Sequence, residues 1–107
     1  MKYVIKQTAD FAAWLLSLKD IQGQARILAR IKLAATGNFG DCKPIGEGLS
    51  EMRINVGPGY RVYFGQTGSV VYLLINGGDK RSQSRDISKA KHFWVALKDG
   101  NYEETED

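Results

Sequence analysis

A chain of 107 residues has the length of one domain, which excludes a second catalytic domain. With 43% hydrophobic and 25% charged residues it has a globular composition, which excludes disorder throughout. The net charge of +3 hides an asymmetry: residues 1–98 hold all 15 Lys and Arg and carry +8, while residues 99–107 carry −5, so a basic body points to a polyanionic partner such as RNA, DNA or the ribosome.

Lys2–Gln7 alternates, with Tyr3 and Ile5 on one side and Lys2, Val4 and Lys6 on the other, which predicts a strand. Thr8 stands where an N-cap is needed. Over 9–19, Phe11, Trp14, Leu15 and Leu18 recur at helical spacing, and Lys19-Asp20 breaks the pattern. A second helix is predicted over 21–35, with Ile21, Ala25, Leu28, Ile31 and Ala35 along one stripe widened by Ile27 and Ala34, Arg26 and Arg30 on the outer side and Gly37 just past the end. So short a link predicts an antiparallel helical hairpin.

Residues 36–48, with four glycines and Pro44, read as a packed loop anchored by Phe39 and Ile45. Three strands follow: Leu49–Val56, the turn Gly57-Pro58-Gly59, Tyr60–Gln66, the turn Thr67-Gly68-Ser69, and Val70–Asn76. The last is the most apolar and is expected to be central, with Gly77-Gly78 ending it. Ile87, Ala90, Trp94 and Leu97 predict a C-terminal helix from about Ser82 to Lys98. The order β-α-α-β-β-β-α predicts an α+β fold, a small, mainly antiparallel sheet with the helical hairpin packed on one face. The expected domain is 1–98, followed by an acidic, flexible tail over 99–107.

If the strands flanking Gly57-Pro58-Gly59 pair, Arg53 and Arg61 lie near one end of the sheet, and the planar donor fork of Arg matches a phosphate. Lys80 and Arg81 leave the last strand just before a helix, whose first N–H groups also favour anions. Gln83 and Tyr63 can add hydrogen bonds. Taken singly these are ordinary solvated charges; as a set beside glycines they predict one phosphate-binding surface. Cys42 has no evident base beside it, and one Cys with one His, His92, is too few for a zinc site. Trp14 and Trp94 read as packing, and Asp41, Glu47 and Glu51 show no pairing that signals metal or acid–base work. No cofactor is expected. No apolar run approaches the ~20 residues of a membrane helix, and the N-terminus lacks a secretory pattern, so a cytoplasmic location is expected.

These residues carry a resemblance. Gly37-Asn38-Phe39-Gly40-Asp41, Lys43-Pro44-Ile45-Gly46-Glu47-Gly48, Glu51-Met52-Arg53-Ile54, Gly57-Pro58-Gly59-Tyr60-Arg61-Val62-Tyr63-Phe64 and Gly77-Gly78-Asp79-Lys80 resemble the RelE/ParE toxin superfamily, in particular its HigB-like addiction module killer branch. The likeness spans about residues 2–98. It implies the toxin of a bacterial type II toxin–antitoxin pair, neutralised by a small antitoxin with a helix-turn-helix region through which operator DNA is bound. Many relatives cut mRNA on the ribosome without metal, by attack of a ribose 2′-OH on the adjacent phosphate; ParE relatives instead inhibit DNA gyrase. By resemblance, Arg61 of the Gly-Tyr-Arg motif stabilises the transition state, Lys80 stabilises the phosphate or acts as general acid, and Arg53 orients the scissile phosphate. Arg81, Gln83, Tyr63 and Lys43 would bind the RNA around it. RelE's C-terminal tyrosine and its two strand lysines are not matched here, where Asp86 and Ile87 lie near the tyrosine's place and only Arg53 is basic, so the general base is unassigned.

Overall fold

Thr8 and Asp20 start the two N-terminal helices and tie them to the sheet. In the computed structural model, which describes residues 3–68 and 71–99, Thr8 Oγ1 accepts from Phe11 N at 3.0 Å and donates to the Ile75 carbonyl at 2.5 Å. Asp20 accepts from Gly23 N at 3.0 Å and from the Tyr60 hydroxyl at 2.8 Å. A side-chain cap of this kind satisfies an N–H that the helix itself leaves unpaired.

The elements are β1 (Val4–Gln7), α1 (Ala9–Ser17), α2 (Ile21–Ala35), β2 (Cys42–Gly46), β3 (Leu49–Ile54), β4 (Tyr60–Thr67), β5 (Val71–Asp79), a 3-10 turn (Lys80–Ser82) and α3 (Gln83–Lys98). One sheet of order β1-β5-β4-β3-β2 joins the strands. β1 runs parallel to β5, and every other pairing is antiparallel.

Alternation along the strands divides the core in two. Met52, Ile54, Tyr60, Val62, Phe64 and Leu74 pack under the α1–α2 hairpin against Phe11, Leu15, Ile27 and Ala34. Leu49, Tyr63, Leu73 and Ile75 face the opposite way, against Ala90 and Trp94 of α3. The expected α+β arrangement with a hairpin on one face is present, and α3 adds a third layer on the other.

Four expectations are corrected. Residues 42–46 form a strand rather than a loop: Cys42, Lys43 and Pro44 pair with Met52, Glu51 and Ser50, followed by a bulge. Pro44 is tolerated because β2 is an edge strand, where a missing N–H breaks no ladder. The central strand is β4, not β5, because β1 and β2 occupy the two edges. Gly77 and Gly78 lie inside β5 rather than ending it. A β-carbon on Gly77 would overlap the Trp14 ring, and one on Gly78 would overlap the Asp86 carboxylate, so the sheet needs glycine there for close packing. Arg30 is not a solvated outer charge: it donates to the carbonyls of Arg53 (2.6 Å), Phe39 (3.0 Å) and Asp41 (3.3 Å), clamping the approach to β2. Apart from Asp99, the expected acidic tail lies outside the described residues, as do Ser69 and Val70. Among the described residues no helix is long and apolar enough to cross a membrane.

Candidate active site

Two cross-strand rows of polar side chains cover the α3 side of the sheet. In the first, Lys43 of β2 stands opposite Glu51 of β3, Glu51 opposite Tyr63 of β4, and Tyr63 opposite Asn76 of β5. In the second, Arg53 stands opposite Arg61, and Arg61 opposite Gly78. Directly opposed residues share a face, so two guanidiniums are brought side by side where like charges repel.

Each guanidinium is held by a carboxylate. Arg53 Nη2 donates to Asp41 Oδ1 at 2.8 Å, and Asn55 adds a bond to Asp41 Oδ2 at 3.3 Å. The hydrogen bond from Arg53 holds the Asp41 carboxyl below the usual carboxylate range. Arg61 Nε lies 3.4 Å from Glu51 Oε2, and Arg61 Nη1 donates to the Gly59 carbonyl at 3.2 Å. The two pairs differ in burial. Arg53 and Asp41 side chains are 35% and 42% exposed, whereas Arg61 and Glu51 are 12% and 2% exposed.

Lys80 joins Arg61 through the β3–β4 turn. The place of a β-carbon on Gly59 is 3.5 Å from Arg61 Nη1 and 3.7 Å from Lys80 Cβ, and Gly59 has φ +81, which favours glycine. Arg53, Arg61 and Lys80 therefore share one end of the sheet. Arg81 turns outward: its side chain is 87% exposed and its Nη2 returns to Asp79 at 3.3 Å. Lys43 is exposed on the edge strand. Gln83, at the start of α3, reaches across the face and donates to Glu51 Oε2 at 2.7 Å. Tyr63 is fully buried, so it underlies this surface and presents no hydroxyl to a ligand.

Sequence reasoning passed over Glu51. It sits 1% exposed at the centre of the face and links Arg61 to Gln83. A signal existed in the strand alternation, which puts residues 51 and 53 on one side and Met52 and Ile54 on the other. Deeper in the same layer, Ser82 Oγ donates to Asp86, and Asn76 Nδ2 donates to the Asp86 carbonyl at 3.1 Å, which fixes the start of α3 against β5.

Two guanidiniums side by side, with Lys80 rooted next to them and a carboxylate beneath Arg61, supply the kind of donors a phosphodiester would need. No protein-family model matches the sequence. A Haemophilus influenzae protein, itself described only as uncharacterized, is 46% identical over 91 residues, covering 85% of this chain and 92% of that protein. The chain belongs to the same family as that protein. Its fold is similar to that of the E. coli toxin RelE, solved as a double arginine-to-alanine mutant in the free state, with a TM-score of 0.65 over 84% of this chain and 94% of that one, at 13% identity.

Proposed function

We propose that this protein is a toxin of the RelE/ParE superfamily, HigB-like in its sequence motifs, which cleaves mRNA on the ribosome and is neutralised by a cognate antitoxin. The observation that carries the reading is the placing of Arg53, Arg61 and Lys80 at one end of a RelE-like sheet. In the proposed reaction a ribose 2′-oxygen attacks the adjacent phosphorus. The O2′–P bond forms, the P–O5′ bond breaks, the 2′-OH proton leaves to a base and a proton reaches O5′. Negative charge grows on the non-bridging oxygens, and fixed cations stabilise it without metal.

In this reading Arg61 stabilises that charge. Arg53 orients the phosphate by exchanging Asp41 for it, which its exposure permits. Lys80 contacts the phosphate or protonates the leaving oxygen. Lys43 and Arg81, both exposed, contact neighbouring phosphates. The antitoxin, the ribosome and mRNA are the proposed partners, the cytoplasm the proposed location, and DNA is met only through the antitoxin.

The test is to induce the protein without antitoxin beside Arg61→Ala and to map mRNA 5′ ends on ribosomes. New ends inside coding regions are expected, reduced about 100-fold or more by the substitution. Growth arrest with intact mRNA and altered DNA supercoiling would replace this reading with gyrase inhibition, and absence of arrest would remove the toxin reading.

A further inference from the structure

Glu51 is the most deeply buried carboxylate of the described residues, 1% exposed in the middle of β3, and nothing in the proposed chemistry yet uses it. A buried charge is retained only where a cation and hydrogen bonds compensate it. Glu51 has both, and both come from groups at the candidate site: Arg61 Nε at 3.4 Å and Gln83 Nε2 at 2.7 Å. Its burial keeps it from touching an RNA directly. What it does reach is the inner edge of the Arg61 guanidinium.

The Arg61 contacts are divided. Nε is buried and faces Glu51 without completing a hydrogen bond, and Nη1 donates to the Gly59 carbonyl. Neither contact uses Nη2. The carboxylate and the carbonyl thus grip the guanidinium from the protein side and direct its remaining donors outward. A free arginine side chain would have to lose rotamer freedom at the moment of phosphate binding; a gripped one has lost it on folding.

We infer that Glu51 is a positioning residue: it aims Arg61 at the phosphate of a bound RNA. This rests on the proposed ribonuclease reading for its substrate, while the grip on Arg61 stands apart from it. The arrangement has a signature that a merely structural residue lacks. The Glu51 charge weakens anion binding by Coulomb's law while its geometry favours the transition state. Removing the charge and keeping the shape should therefore tighten ground-state binding and slow the chemistry.

The experiment compares the full-length protein with Glu51→Gln in two readouts. In ¹⁵N-labelled protein, the Arg61 Nε–H signal is followed during a titration with inorganic phosphate. In a ribosome assay, kcat and KM for mRNA cleavage are measured. E51Q is expected to exchange the Arg61 Nε–H faster, because the carboxylate's charge and not a hydrogen bond holds that proton, and to bind phosphate as well as or better than the wild type. Its kcat should fall by about 100-fold, the scale of a misaimed catalytic group, with KM unchanged or lower. An Arg61 signal and a kcat both unchanged in E51Q would overturn the inference, as would a loss confined to KM. If wild-type protein cleaves no mRNA, the ribonuclease reading fails, and the exchange and titration data alone decide whether Glu51 positions Arg61. Should E51Q not fold, Gln83→Leu, at a half-buried position, loosens the same carboxylate while keeping its charge, and an Arg61 Nε–H signal unchanged in that variant would overturn the inference.

Discussion

Tyr63 is the largest fully buried side chain among the described residues, and its hydroxyl approaches Glu51 without completing a hydrogen bond. An unpaired buried hydroxyl costs stability, so Tyr63→Phe should be neutral or stabilising by up to about 1 kcal/mol in urea unfolding. Burial first, and then the Glu51 charge, push the phenol above its ordinary range. A group whose folded pKa is raised stabilises the fold fully below its unfolded pKa, near 10 for Tyr, and loses that contribution as pH rises above it. Stability should therefore fall from about pH 10 upward, and less steeply in Tyr63→Phe. Tyr60 and Tyr72 are raised as well, chiefly by burial, so part of the alkaline loss should persist. The same residue shows what the sequence hid. Tyr63 looked like a surface donor because it flanks Arg61; strand alternation puts both on the α3 side, but burial separates a ligand-facing residue from one beneath it. Glu51 was hidden for the converse reason, since its partners Arg61 and Gln83 meet it only when β3, β4 and α3 assemble.

At the scale of elements, strands and helices with strong periodicity were legible, and two of the failures share one cause. Glycine and proline were read as breaks, whereas here they let layers approach. Pro44 sits in an edge strand and Gly77 under Trp14. Gly77→Ala should destabilise by about 1–3 kcal/mol, the cost of overpacking, because the Trp14 ring must move. Gly68→Ala meets open space but has φ +77, so it should cost about 1 kcal/mol through backbone strain alone. Urea unfolding separates the two: a second substitution, Trp14→Phe, should relieve the first and leave the second unchanged.

Over the whole molecule, the excess of basic residues in 1–98 was visible in the sequence, but their division of labour was not. Arg30 is spent on backbone carbonyls and Arg81 lies exposed beside Asp79, while Arg53, Arg61 and Lys80 gather at one end of the sheet. If this cluster neutralises the scissile phosphate of a single-stranded RNA, and Lys43 and Arg81 one neighbour each, log affinity should fall with log salt at a slope of about −2. Binding should then drop about 20-fold between 50 and 200 mM salt, and Lys43→Ala should flatten the slope by about 0.7, as measured by filter binding at several salt concentrations.

The parallel pairing of β1 with β5 also sets a schedule. Thr8 and Ile75, which bond to each other, are 67 positions apart, so the first strand to leave the ribosome waits for the last. Arg53 and Arg61 emerge before β5 has closed the sheet and before α3 has delivered Gln83 to Glu51. At about 5–20 residues per second, the chain from Arg61 to Lys98 takes only a few seconds to make. A nascent chain therefore cannot complete the sheet, or seat Gln83 on Glu51 beside Arg61, until β5 and the start of α3 have followed the two arginines out.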